Sequence, residues 1–231
     1  MTGESGRKWV EEHLKVGKEI LYLTQEEVKN IGLSDGEILS LTEKALAAHG
    51  EKRTEMPAKI GLHPLKDTLM HAMPAYLPDH SACGIKWASC FPDNRERFGM
   101  PQTSGLLIYN DPESGWPLAV MDAVWITEKR TPAVTCVAAK HLAPAGVTTF
   151  GMIGCGVQGR AHVGMIERVL ARLETIYVYD VFEEAARKLV LDLQPAVKAK
   201  IVKAGSIEEV VRSSKVVASA TAITAQPRPR I

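Results

Sequence analysis

Phe150-Gly151-Met152-Ile153-Gly154-Cys155-Gly156-Val157-Gln158-Gly159 is an apolar strand that runs through G-x-G-x-x-G into a helix. Each glycine of such a turn has a separate job. The first permits the tight reversal, the second lets backbone approach a pyrophosphate, and the third lets helix and strand pack closely; the helix N-terminus adds unpaired N–H groups and the positive end of its dipole. Alone the pattern is a weak signal, and its context strengthens it. Thr175-Ile176-Tyr177-Val178-Tyr179 reads as a second apolar strand ending in Asp180, 21 residues beyond Gly159. A carboxylate there accepts hydrogen bonds from a ribose. It would also repel a 2′-phosphate, so NAD is expected over NADP. The competing reading makes Asp180 the cap of a helix over Phe182–Leu193, since Asp is a favoured capping residue.

The totals agree with a small-molecule site. The chain has 231 residues, 45% hydrophobic content and a formal charge of +1, the make-up of one large or two ordinary globular domains. A near-neutral charge without Lys/Arg runs speaks against nucleic acid or an anionic membrane as partner, because either calls for a basic surface. Met1–Glu19 alternates charges and lacks an apolar core, so no signal peptide is expected, and no apolar run approaches membrane-spanning length. A cytoplasmic location follows as an expectation. Cys83, Cys90, Cys136 and Cys155 form no C-x-x-C pair and lie in apolar stretches, which reads as reduced, buried thiols and not a disulfide frame or metal site.

Around the glycine turn the chain divides in two. Glu19–Leu23 is a short strand candidate; Thr24-x-x-Glu27 and Ser34-x-x-Glu37 are capping boxes, the second opening a helix to about His49. Segments 59–62, 68–76, 84–91, 104–110 and 118–123 alternate or run apolar between turn residues, predicting an antiparallel sheet, with a hairpin turn at Asn110–Gly115. A helix is predicted over Thr127–Leu142, and Ala143-Pro144-Ala145-Gly146 breaks it. The predicted architecture is α/β: an α+β substrate and dimerisation domain over 1–145, then a Rossmann dinucleotide-binding domain over 146–231. Its later elements are a strand at 200–203, a helix over 206–213 and a strand at 216–220. A complete fold of this kind has about six parallel strands, and about four are countable before Gln226–Ile231. The sheet therefore reads as truncated, or as completed by a partner, with truncation preferred.

Arg53–Pro57, Met73–Tyr76, Ile85–Trp87, Pro92–Asn94, Ala119–Asp122 and Thr127–Ala133 together resemble the ornithine cyclodeaminase/mu-crystallin family, in the right order from about Leu21 to Thr221. The resemblance implies a homodimer-forming substrate domain joined to a Rossmann domain, and a small amino or imino acid as substrate. It places Arg53, Lys86 and Arg130 where the family keeps the cations that hold the substrate carboxylate. Guanidinium groups clamp a carboxylate through paired hydrogen bonds, and Lys86, the candidate catalytic cation, would orient the substrate Cα toward a nicotinamide. Read without the family, Arg53 is a solvated loop residue, Lys86 an edge-strand lysine and Arg130, in the first turn of its helix, a partner for Glu128 or solvent.

The resemblance further implies cofactor contacts at Val157, Gln158 and Thr221, beside Gly154, Gly156 and Gly159. Where ornithine cyclodeaminases carry a glutamate near the substrate's amino end, this chain has His71, read equally well as a substrate contact or a hydrogen-bonded sheet residue. The family's catalytic aspartate lies past the end of this chain, so a chain ending at Ile231 is expected to bind nucleotide poorly and turn over nothing. The first activity implied is conversion of L-ornithine to L-proline and ammonia, by removal and return of the Cα hydride with no net redox change. Alternatives are an alanine- or opine-type dehydrogenase or ketimine reductase, and, in another class, a non-catalytic NAD(P)H-dependent binder such as mu-crystallin.

Overall fold

The computed structural model describes residues 10 and 12–221; residues 1–9 and 11 of the leader and the Gln226–Ile231 segment lie outside the described residues. The described residues form two compact units, residues up to 33 with 44–127, and 34–43 with 128–221.

The first unit is built on a six-stranded sheet ordered β1-β6-β5-β4-β3-β2, from β1 (Leu21–Leu23), β2 (Ile60–Leu62), β3 (Leu69–Leu77), β4 (Ala82–Cys90), β5 (Thr103–Asn110) and β6 (Pro117–Asp122). The strands from β2 to β6 pair antiparallel, as the alternating segments predict. β1 joins parallel to β6 at the edge, which the local sequence does not signal. Asp111 builds the β5–β6 turn: its carboxylate accepts from the Ser114 hydroxyl and backbone N–H, and Gly115 takes φ 73°. Helix α1 (Gln25–Asn30) opens on a complete capping box, Thr24 and Glu27 bonding each other's backbone N–H; helix α2 (Asp35–Gly50) opens on the same reciprocal pair between Ser34 and Glu37. Such caps contribute about 1 kcal/mol each. A short helix α3 (Asn94–Phe98) between β4 and β5 was not predicted.

Helix α4 spans Val124–Leu142, beginning three residues before the predicted start at Thr127. The reason is a cap: Asp122 Oδ1 accepts from Val124 N at 2.9 Å, and Thr127 N donates to Ala123 O. Arg130 consequently sits in the second helical turn, not the first.

The second unit carries a four-stranded, wholly parallel sheet of β7 (Thr149–Ile153), β8 (Thr175–Tyr179), β9 (Lys200–Lys203) and β10 (Val216–Ser219), ordered β10-β7-β8-β9. Read from β9, this is the 3-2-1-4 start of a doubly wound dinucleotide fold. Helices α5 (Val157–Ile166), α6 (Glu183–Leu193) and α7 (Ile207–Ser213) connect the strands. Phe150, Gly151, Met152 and Ile153 are all buried, the continuous apolar run expected of a parallel strand covered on both faces. Gly151 is needed for this cover: a Cβ there would lie 2.6 Å from Val210 Cγ1 of α7. On the first turns of α2, Asp35 pairs with Lys129 at 2.9 Å, and further along Glu43 accepts from Lys140 and His141. No helix among the described residues is long and apolar enough to cross a membrane.

Candidate active site

The glycine turn closes β7 and opens α5. Gly154 takes φ 97°, and a Cβ on it would meet Ala220 O at 2.5 Å. A Cβ on Gly159 would lie 1.8 Å from Gly154 O, whereas one on Gly156 would point into open space. The first and third glycines are thus demanded by the protein itself, and the second by nothing among the described residues. The N-cap of α5 is Gly156, without a side-chain cap. Thr221 lies two residues past the end of β10, and its backbone N lies 3.3 Å from the same Cβ position on Gly154. Gly154 and Thr221 therefore meet where adjacent parallel strands β7 and β10 end, the crevice at which doubly wound sheets bind ligands. Val157 is exposed at the turn, and Gln158 half-buried.

Asp180 does not cap α6, whose N-cap is Phe182. Its Oδ2 accepts from Cys155 N at 2.7 Å and its Oδ1 from Phe182 N at 2.9 Å, so the carboxylate ties the end of β8 to the glycine turn. Beside it a cleft of about 260 Å³ is lined by Tyr179, Val181, Ala186, Lys203 and Gly205 among others.

His162, which the sequence reading did not single out, anchors the turn from behind. It is buried, its Nδ1 2.7 Å from Gln158 O and its Nε2 2.9 Å from the Thr135 hydroxyl. A carbonyl can only accept, so Nδ1 carries the proton and Nε2 accepts from Thr135 Oγ1. Desolvation lowers its pKa and keeps the ring neutral. The signal was a lone polar residue in the buried stripe of α5.

In the first unit, Lys86 lies in the middle of β4, opposite Met73 on β3 and Leu107 on β5, and its Nζ donates to the Thr127 hydroxyl at 3.2 Å. His71 is on the same sheet face, two pairs along, between Gly61 of β2 and Ala88 of β4. Its ring lies across Gly61, where a Cβ would come within 2.3 Å of Cδ2, and meets the His63 ring edge-on at 6.1 Å. Burial, then the positive fields of Lys59 and His63, push its pKa below the ordinary histidine value. Lys59 and His63 flank β2, and the alternation 59, 61, 63 is the signal that could have found them.

Arg53 is engaged within the protein. Nε and Nη2 donate to Glu51 Oε2 at 2.8 and 2.5 Å, and Nη1 pairs with Asp79. Arg130, in the second unit, forms no hydrogen bond or ion pair among the described residues. Although exposed, its guanidinium loses enough water to lower its pKa. Among the described residues no group of three or more His, Cys, Asp or Glu could hold a metal.

All four cysteines are free thiols, Cys136 and Cys155 buried and Cys83 and Cys90 only half-buried, not fully buried as expected. Burial first, then nearby Asp35 or Asp180, pushes Cys136 and Cys155 up to about 12. At pH 8 their thiolate populations are on the order of a thousandfold below that of an ordinary cysteine. Iodoacetamide at pH 8 should therefore leave Cys136 and Cys155 unmodified in the native protein and alkylate both in urea, as peptide mass mapping can check.

Residues 18–229 match the ornithine cyclodeaminase/mu-crystallin family, and the chain belongs to it. It is 37% identical over 202 residues to the nodulation efficiency protein NfeD of Rhizobium meliloti, the match covering 87% of this chain and 62% of that protein. The Δ1-pyrroline-2-carboxylate reductase of Thermococcus litoralis, solved with NADH and L-proline, superimposes with a TM-score of 0.82 at 28% identity, over 87% of this chain and 62% of that one. An archaeal alanine dehydrogenase dimer with bound NAD gives 0.78 at 35% identity, over 87% and 60%. The chain spans about three-fifths of the length of these relatives.

Proposed function

We propose that this member of the ornithine cyclodeaminase/mu-crystallin family is part of an NAD-dependent enzyme that moves a hydride at the α-carbon of a small amino or imino acid. The observation that carries the reading is the glycine turn, closed to side chains at Gly154 and Gly159 and open at Gly156. Phosphates can reach backbone N–H groups only across such an opening. The relatives solved with NADH and NAD support the same choice.

Gly154, Gly156, Val157, Gln158 and Gly159 would hold the pyrophosphate, Asp180 the adenosine ribose, and Thr221 the nicotinamide side. A carboxylate offers about four acceptor positions; Asp180 uses two on Cys155 and Phe182, leaving the others for ribose hydroxyls. Lys203 in the neighbouring cleft is already matched by Glu183 at 2.6 Å, so the adenosine end is built for a hydroxyl and not a 2′-phosphate.

When bound, the nicotinamide supplies the acceptor and donor of the hydride. The side chains fix where the substrate lies. Lys86, held by Thr127, and Arg130 would take the substrate carboxylate through charge-assisted hydrogen bonds. Arg53 would join them on exchanging Glu51 or Asp79 for substrate. Ring closure of ornithine needs a seat for its second amine, and the groups gathered around His71, Lys59 and His63 on either side of Gly61, offer it no carboxylate. The reading therefore keeps the Cα hydride step and favours the dehydrogenase or imine-reductase form of the chemistry.

The apolar face of the first sheet fits a homodimer. Tyr22, Ile60, Leu62 and Leu106 share it and are 63, 72, 60 and 39% exposed, and exposed apolar side chains gathered on one face are what a protein–protein contact covers.

The intact protein, given NAD⁺ and a series of small amino acids, should accumulate NADH. Ammonia release from L-ornithine without NADH would instead establish the cyclodeaminase, and silence throughout a binder. Asp180→Ala should cut the preference for NAD⁺ over NADP⁺ by tenfold or more in kcat/KM; a wild type preferring NADP⁺ would refute the role of Asp180. Sedimentation equilibrium should give a dimer that Leu106→Glu dissociates.

A further inference from the structure

The geometry points to a substrate with a second acidic group, bound at the Lys59–His63–His71 cluster while Lys86 holds the first. This deepens the reading of the site given above and rests on it.

Four basic side chains share one face of the first sheet. Lys86 stands on β4 and His71 on β3, two residue pairs along. Gly61 pairs with His71, and Lys59 and His63 are its neighbours two residues away on either side, which in an extended chain puts them on the same face. The His63 and His71 rings meet edge-on at 6.1 Å, and Lys59 stands next to β2 two residues before Gly61, the residue that faces His71. Gly61 is what lets them gather, since any side chain there would displace the His71 ring.

No carboxylate among the described residues is paired with Lys59, His63 or His71. Of the acids nearest in sequence, Glu55 bridges Tyr76, which alternates with His71 to the opposite face, and Asp67, four residues from both His63 and His71, is exposed and paired with neither. Lys59 has no acidic partner there among the described residues, and imidazole N–H groups donate hydrogen bonds whether or not the rings are charged, so an anion supplied from outside would be received by all three. The rows from β4 to β2 span two strand spacings, about 10 Å, the reach of an aliphatic dicarboxylate with side-chain extension at each end. A terminal ammonium in the same place would find no acidic partner among the described residues there.

The test uses three ligands of one chain length that differ at the far end: glutarate, pentanoate and 5-aminopentanoate. Each is titrated calorimetrically into the intact protein with saturating NAD⁺. Glutarate should bind at least tenfold more tightly than pentanoate, and 5-aminopentanoate more weakly than either. Lys59→Gln with His71→Gln should weaken glutarate about tenfold and leave pentanoate unchanged, the latter also certifying the fold; His63→Asn should act in the same direction. In proton NMR the His71 resonance should titrate at higher pH by roughly one unit with glutarate bound, and not with pentanoate. Pentanoate or 5-aminopentanoate binding as tightly as glutarate would overturn the inference and leave the site reading standing. If none of the three binds, or binding survives Lys86→Gln undiminished, the site reading falls and the inference with it.

Discussion

The contact between Gly159 and the carbonyl of Gly154 governs the second unit. With 1.8 Å between that oxygen and an imagined Cβ, no other residue lets α5 start so close to the end of β7. The closeness brings the helix N-terminus to the point where β7 and β10 diverge. Asp180 fastens the same turn from β8 through Cys155 N, and His162 fastens it from within α5 through Gln158 O. Three separate constraints thus hold one loop of backbone, which is how a phosphate site is kept preorganised without charged side chains.

The same turn was legible in the sequence because its constraints are local. Strand, glycines, helix, strand and acid follow in order within about thirty residues, the length of one βαβ unit. The antiparallel strands were legible for a related reason: alternation against a half-covered face marks each strand, and turn residues mark each end. What stayed hidden depends on distant partners. β1 pairs with β6 across most of the first unit, and nothing in Leu21–Leu23 announces its neighbour. The early start of α4 comes from a side-chain cap by Asp122, a residue that otherwise reads as the end of β6. Helix α3 is too short to display a period.

The candidate site divides the same way. The glycines and Asp180 could be assigned from spacing, and the structure adds the second bond that makes Asp180 part of the turn. Lys86, Arg130 and Arg53 carry no spacing rule, and only resemblance singled them out. Their surroundings now differ: a hydroxyl partner for Lys86, two carboxylates for Arg53, and no polar partner for Arg130 among the described residues. An arginine already satisfied by Glu51 and Asp79 loses that pairing before it can hold anything else, so under the proposed function its net gain from a substrate carboxylate would be a difference between two carboxylate pairings and smaller than that of Arg130.

A consistent fold places opposite charges together and keeps glycine out of strands. β2 does neither: a glycine sits at its centre, and the basic side chains Lys59 and His63 flank it beside His71, with no acid paired to them among the described residues. Departures of this kind persist where function requires them and the rest of the structure can sustain the cost. Here the cost is small because Lys59 and His63 lie at an exposed edge, where water screens them. The His71 ring, lower on the sheet and against Gly61, is the member that cannot turn away. It converts a diffuse basic edge into a fixed position on the same face as Lys86, and it is this fixed spacing, more than the number of charges, that can tell a molecule with two acidic ends from a molecule with one.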